Sequence, residues 1–331
     1  MNHSDDDNDC NTSGNEHFQD VLNASLSRRG FLTGGLVTAA AVSLGGVEAL
    51  LKAVPASAQE NDDEARETDE QGERRRPRLG FESVPVSAVD TVVVPKGYTA
   101  EVLIAWGDPV SDGPAFRQDA SNTADEQSRQ WGMHNDGVVY FPILRSQRGL
   151  IVQNNEYTDD GLLFADGVNN WTPEKTKKSL NAHGVSIIEV TKRGGFPRDG
   201  RRRRGNWDVV RPSPYARRIT GMTPIEIGGP AAGDARLRTI GDPTGTRVLG
   251  TLNNCAMGFT PWGTYLACEE NFNGYFRKNG PQTNLEKRYG INATGFGYLW
   301  HTTDTRFQVD AEPNEPNRFG WVVEINPFKP H

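Results

Sequence analysis

Cysteine and long apolar runs are both scarce in this sequence. Three of the 331 residues are cysteines, and Cys10 precedes every segment that looks foldable. Cys255 and Cys268 could therefore form at most one disulfide. The longest apolar stretch, residues 31–51, is interrupted by glycines and by Glu48. A membrane-spanning helix needs about 20 strongly apolar residues, so the sequence argues against a permanent transmembrane anchor.

An excess of charge of one sign is also missing from the part of the chain that should fold. The formal net charge of −7 arises before residue 79, because acidic and basic residues are equally numerous after it. Arginines 201–204 form one basic run, but their polar and glycine neighbours indicate a solvated loop. We therefore expect no nucleic-acid partner.

A three-part leader occupies residues 1–58. Arg28 and Arg29 precede the apolar stretch, and Ala-Ser-Ala at 56–58 offers a small-residue cleavage site. This combination is typical of a twin-arginine signal peptide. It predicts recognition by the twin-arginine translocase and export, in folded form, to the periplasm or the extracellular space. An uncleaved leader that acts as an anchor is the alternative.

The remainder divides into a linker and one domain. Residues 59–78 are mostly charged and almost free of apolar side chains, which predicts a disordered linker. The folded domain is expected to occupy residues 79–331. Its apolar residues fall in short runs rich in Val, Ile, Tyr, Phe and Thr, many of them alternating with polar residues. Strands are predicted at 91–94, 99–106, 137–143, 149–154, 185–190, 207–210, 248–252, 264–269 and 320–325, with a short helix at 173–180.

These elements predict an all-β fold. The many short strands, together with 36 glycines and 20 prolines, favour a β-propeller over a sandwich, although no repeat of fixed period is visible. The sequence ends directly after its last predicted strand, so we expect a propeller that is incomplete.

Residues 253–271 contain the densest group of potential metal ligands. Cys255 is predicted to lie on a Gly/Pro turn, and the following strand ends at Glu269 and Glu270. A thiolate together with carboxylates suits a transition ion such as iron. Adjacent glutamates on a strand face opposite sides, so one could reach the ion at Cys255 while the other serves a neighbour. A Cys255–Cys268 disulfide, with both glutamates on the surface, explains the same pattern equally well.

Two upstream segments carry further donors. Asp136 precedes a predicted strand, and Asn155 and Glu156 follow another. Amide and carboxylate oxygens at strand ends can bind calcium, and the amide N–H groups can donate to an oxyanion. Asn and Asp also favour turns for local reasons, so each segment taken alone fits a structural role better.

Together these segments resemble the PhoX alkaline phosphatases. The resemblance comprises the twin-arginine leader and residues 134–137, 149–158, 254–271 and 318–325. Its most specific part follows the family pattern Asn-Cys-Ala-x-Gly-x-Thr-Pro-Trp-Gly-Thr, continued by Cys-Glu-Glu. Family members are considerably longer, so the chain looks like an N-terminal portion of one.

The resemblance implies a six-bladed β-propeller with trivalent iron (Fe3+) and calcium in its central funnel. It implies hydrolysis of phosphate monoesters outside the cytoplasm, and it favours metal binding over the disulfide. Asn155 is a predicted substrate-binding residue. By match to the family motifs, or as weaker assignments to the same funnel, the predicted metal ligands are Cys255, Glu269, Glu270, Glu324, Asp136 and Glu156.

Three alternatives stay open. An incomplete propeller would expose unpaired strand edges, so a second polypeptide could be needed to complete it. A catalytically incomplete PhoX-like fragment or binding module would be exported without hydrolysing anything. A propeller hydrolase of another class would share the fold but not the substrate.

Overall fold

The computed structural model describes residues 81–193 and 207–329. The chain divides into two compact units between Tyr98 and Thr99. In the first unit, residues 81–98 form no regular strand or helix, so the strand predicted at 91–94 is wrong. The predicted signal peptide, the first 58 residues, lies outside the described residues, as does the predicted linker that follows it.

The regular structure of the second unit consists mainly of short strands. In chain order they are β1 (Asn135–Leu144), β2 (Arg148–Asn155), β3 (Gly184–Lys192), β4 (Trp207–Val209), β5 (Arg217–Ile219), β6 (Thr223–Glu226), β7 (Arg247–Gly250), β8 (Asn254–Phe259), β9 (Tyr265–Glu269) and β10 (Val322–Ile325). The strand predicted at 99–106 is wrong, because its alternating side chains find no partner strand: Val102 is exposed.

Helices are few and short. They are α1 (Ala124–Gln127), α2 (Asp160–Leu163), α3 (Pro173–Ala182) and α4 (Asn284–Tyr289), with 3-10 turns at Ala235–Leu237, Phe272–Tyr275, Trp300–Thr302, Thr305–Phe307 and Glu315–Arg318. Helix α3 confirms the one predicted helix and begins with Thr172 as N-cap and proline in its first turn. Within the described ranges, no helix has the length and apolar character needed to cross a bilayer.

The described strands form three antiparallel sheets. In the largest, β1, β2 and β3 pair in that order, and β4 and β5 both pair with β3. Strand β9 lies between β8 and β10 in the second sheet, and β6 and β7 pair in the third. The protein is thus mostly antiparallel β, as predicted, while the propeller arrangement stays a prediction.

Strand β3 lies at the centre of the core because it is apolar on both faces. Val185 and Ile187 belong to the cluster that also contains Tyr265 of β9, and Ile188 packs with Trp131 on the other side. The one carboxylate of this strand, Glu189, is buried but forms a salt bridge with an arginine of β2 and accepts a hydrogen bond of 2.7 Å from a serine hydroxyl.

Strand β8 differs from the sequence expectation in a way that affects the site. The segment around Cys255 was predicted to be a turn, yet it pairs with β9. The pairing register shifts between Asn254 and Met257, so the cysteine lies in an irregular part of the strand. The proline and glycine of this segment instead form the β8–β9 turn, at residues 260–263.

Candidate metal centre

Three predicted ligands converge in the structure. Asp136 is the second residue of β1, Glu156 directly follows β2, and Cys255 is the second residue of β8. One ligand atom from each lies within 4.8 Å of the other two. Asp136 is exposed, and the other two residues are partly buried. We call these three residues the acidic cluster; its thiol and two carboxylates are a donor set that can hold a cation.

Strand pairing brings the two carboxylates together. The antiparallel register of β1 and β2 places Asn135 opposite Asn155, so the residues that follow each of them, Asp136 and Glu156, lie at the same end of the sheet. The backbone N–H of Glu156 donates to the carbonyl of His134 over 2.9 Å. This bond fixes the chain where it leaves β2.

Two neutral side chains join β8 to this sheet end. The buried Asn154 donates its amide hydrogen to the carbonyl of Cys255 over 2.8 Å and accepts from the Tyr265 hydroxyl over 2.9 Å. Gly137 allows the close approach: a Cβ at this position would lie 2.6 Å from Cγ of Met257 and 2.9 Å from the carbonyl oxygen of Cys255.

Like charges dominate the electrostatics of the acidic cluster. The pKa of Cys255 is raised to about 12, first by its side-chain hydrogen bond with Glu270, then by burial and by Asp136. Burial, followed by repulsion from Asp136, raises the pKa of Glu156. A cation placed between these groups would stabilise their deprotonated forms and reverse both shifts.

The two adjacent glutamates diverge, as the alternation of side chains along a strand predicts. Glu270 is exposed and lies next to Cys255. Glu269 is turned away from the cluster: its carboxylate accepts hydrogen bonds from the Thr251 hydroxyl and from the backbone N–H groups of Leu252, Gly320 and Trp321 at 2.7–3.3 Å. Its predicted role as a metal ligand stays a prediction.

Glu324 and Asn155 also have protein partners. The Glu324 carboxylate on β10 accepts from the Trp262 indole over 2.8 Å and from the Thr264 hydroxyl over 2.5 Å. Asn155 is fully buried and donates to Asn135 Oδ1 over 2.9 Å. Neither belongs to the acidic cluster, and the metal-ligand role of Glu324 and the substrate-binding role of Asn155 stay predictions.

Both cysteines of the second unit are free thiols, so the Cys255–Cys268 disulfide is not formed.

A family model described as alkaline phosphatase PhoX matches residues 79–331. The chain belongs to the PhoX alkaline phosphatase family. Among curated proteins, none matches this chain.

A solved PhoX structure is similar as well. It is described as Pseudomonas fluorescens PhoX in complex with vanadate, a transition state analogue, and is 44% identical with a TM-score of 0.70. The match covers 76% of this chain and 43% of that PhoX chain. The chain therefore spans less than half the length of the PhoX chain that it matches.

PhoX proteins are metalloenzymes, and the acidic cluster fits a resident metal. Its thiol and carboxylates are donors that transition ions accept. No ion pair in the described ranges neutralises Asp136, Glu156 or Glu270. These carboxylates repel one another, and a cation bound between them would offset this repulsion.

A cavity of about 630 Å³ adjoins the acidic cluster of this PhoX-family chain, since Glu156 belongs to both. At its rim, the His134 imidazole stacks on the Tyr157 ring with centroids 3.7 Å apart and planes 10° from parallel. Tyr275, Phe296 and Tyr298 line it further. The sequence does not reveal this cavity, because its lining comes from two distant segments, 134–168 and 253–298.

A buried hydrogen-bonded chain of three side chains reaches the cavity. Nδ1 of His183 lies 2.8 Å from the Ser179 carbonyl, which can only accept, so this nitrogen carries the proton. Nε2 then accepts from the Tyr275 hydroxyl at 3.0 Å, and the Tyr275 oxygen accepts from the Asn253 amide at 2.8 Å. Burial lowers the pKa of His183 to about 3 and keeps the ring neutral. These three hydrogen bonds thus fix the orientation of the Asn253 side-chain amide.

Proposed function

We propose that this chain is an exported, metal-dependent alkaline phosphatase that hydrolyses phosphate monoesters. The observation that carries the proposal is the convergence of Asp136, Glu156 and Cys255 in a member of the PhoX family. The similar PhoX structure supports it, because the vanadate bound there is described as a transition state analogue.

Iron and calcium are the proposed cofactors. A thiolate beside carboxylates suits iron, and carboxylate and amide oxygens suit calcium. Cys255, Asp136, Glu156 and Glu270 are the residues that would hold them. When bound, such ions neutralise charge on the phosphate oxygens in the transition state. Glu269 and Glu324 would join the ligand set only by exchanging their present hydrogen bonds for a metal.

The side chains around the acidic cluster have positioning roles in this proposal. Asn154 and Tyr265 hold β8 against the end of the β1–β2 hairpin, so the thiol and the carboxylates face one another before substrate arrives. Burial lowers the pKa of His134, which keeps this ring neutral at alkaline pH. His134 therefore adds no positive charge beside the acidic cluster.

The proposal extends to architecture and location. We propose a six-bladed β-propeller of which this chain forms a part, and export through the twin-arginine translocase to the periplasm or the extracellular space. A second candidate is a PhoX-like module that binds metal without hydrolysing esters. It is supported by the convergence of a thiol and two carboxylates, which can hold a cation whether or not an ester is hydrolysed.

The test uses the full chain loaded with Fe3+ and Ca2+. Hydrolysis of p-nitrophenyl phosphate at alkaline pH should be lost after chelation and in Cys255→Ala. The matched control is Cys268→Ala, which removes the other free thiol and should retain activity. Undiminished activity of Cys255→Ala would refute the metal role of the thiol. Stoichiometric metal without hydrolysis would favour the second candidate.

A further inference from the structure

The cavity next to the acidic cluster has an aromatic lining. Tyr157, Tyr275, Phe296 and Tyr298 all face it, and the rings of Tyr275 and Tyr298 lie 4.8 Å apart. Aromatic faces carry negative charge density and attract cationic groups. Because Glu156 belongs to both the cavity and the cluster, an ester whose phosphate lies at the cluster has this cavity within reach of its organic group.

The charge of the lining has one sign. Asp159 and Asp160 line the cavity in addition to Glu156, and no lysine or arginine is among its described lining residues. Burial raises the pKa of Asp160 to about 6, so this carboxyl is ionised at alkaline pH. Even if Glu156 is occupied by a metal, two carboxylates remain to face the bound group.

Asn253, which also lines the cavity, carries a buried acceptor without a partner. Asn253 is 4% exposed, and its Oδ1 has no hydrogen-bond partner. The Tyr275 hydroxyl gives its hydrogen to His183, so it can only accept from Asn253. The side-chain nitrogen of Asn253 must therefore point at Tyr275, and the amide cannot be flipped. A buried acceptor without a partner is costly, and a ligand that brings partial positive charge would reduce this cost.

We propose that this cavity is the subsite for the organic group of the phosphate ester and that it favours groups carrying positive charge, such as a quaternary ammonium. The inference rests on the proposed phosphatase function and adds a substrate preference to it. Aromatic faces and two carboxylates line the cavity and favour a cation, and the buried oxygen of Asn253 adds partial negative charge nearby. An additional anionic group on the ester would be repelled.

The first test compares two esters of the same shape, phosphocholine and 3,3-dimethylbutyl phosphate, in which a carbon replaces the ammonium nitrogen. With the metal-loaded full chain, we expect kcat/KM to favour phosphocholine by about tenfold, in keeping with a partly desolvated cation against aromatic rings and carboxylates. Equal values, or a preference for the neutral ester, would overturn the proposal.

Asp159→Asn tests the charge of the lining. Asn keeps the oxygen that accepts the Gly161 N–H over 2.9 Å at the start of α2, so the variant removes charge with little change of structure. The preference for phosphocholine should fall about threefold. The matched control is Asp125→Asn, whose side chain is 80% exposed in α1 and does not line the cavity. An equal fall in the control would assign the preference to net charge and overturn the proposal.

Calorimetry separates this inference from the proposed function. Choline and 3,3-dimethylbutan-1-ol carry no phosphate, so their binding does not require hydrolysis. Choline should bind more tightly, and Tyr298→Ala should reduce the difference. If no ester is hydrolysed but choline is preferred, the phosphatase proposal fails and the cation-selective cavity stands. If choline is not preferred, the cavity proposal fails whatever the activity.

Discussion

Replacing Asp160 by Asn should change how the stability of the fold depends on pH. Asp160 is the first residue of α2 and is 8% exposed. Its Oδ1 accepts from the Ser179 hydroxyl over 2.8 Å and from the Thr158 hydroxyl over 3.0 Å. Burial outweighs both hydrogen bonds and raises its pKa from 3.8 to about 6.

The direction of the pH dependence of stability follows from the state that binds the Asp160 proton more tightly. Because the pKa is higher in the folded state, the folded protein binds this proton more tightly than the unfolded chain does. The stabilisation is complete below pH ~4 and is lost as the pH rises through ~6. A shift of about two units corresponds to about 3 kcal/mol of unfolding free energy across this window. Asn can accept the same two hydroxyl hydrogens, but it does not titrate.

Urea unfolding followed by tryptophan fluorescence between pH 4 and pH 7 measures this effect. Relative to wild type, Asp160→Asn should gain about 3 kcal/mol of stability as the pH rises. Asp159→Asn keeps Asp160 in place and should change the curve much less, because repulsion from Asp159 is a smaller cause of the raised Asp160 pKa than burial. If the unfolding free energies of wild type and Asp160→Asn change in parallel with pH, burial does not raise the pKa of Asp160 and the prediction is refuted.

Three further predictions concern the hydrogen-bonded side chains below the cavity, the acidic cluster and the close approach at Gly137. Tyr275→Phe leaves two buried side chains without a partner and should lower the free energy of unfolding by about 1–3 kcal/mol in chemical denaturation. Cys255→Ser should reduce bound iron, measured colorimetrically, whereas Cys268→Ser should retain it; equal iron in both would contradict the cluster. Gly137→Ala should cost about 1–3 kcal/mol because its Cβ meets Met257, and adding Met257→Ala should recover part of this loss.

Much of the site could be predicted from sequence because its ligands sit in local motifs. Asp136, Glu156 and Cys255 each lie at or near a strand end, within a segment that resembles PhoX, and the structure brings them together. Alternation along a strand also predicts that Glu269 and Glu270 diverge. It cannot say which of the two faces the cysteine, because that depends on which face of β9 is turned toward the cluster.

Contacts between distant segments could not be predicted. The bond between His183 and Tyr275 joins residues 92 positions apart, and no periodicity records such a pairing. The same limit explains the strands wrongly predicted at 91–94 and 99–106. Alternating β-branched residues describe a chain that could pair, and a strand forms only where a partner is present.

The supports of the acidic cluster are chemically separate from its ligands, which predicts that metal binding and folding can be altered independently. Asn154 and Tyr265 act through a backbone carbonyl and through each other, and Gly137 acts by leaving room. None of these contacts uses the thiol of Cys255. Changing the thiol should therefore lower metal affinity at nearly unchanged stability, whereas changing Asn154 should lower both.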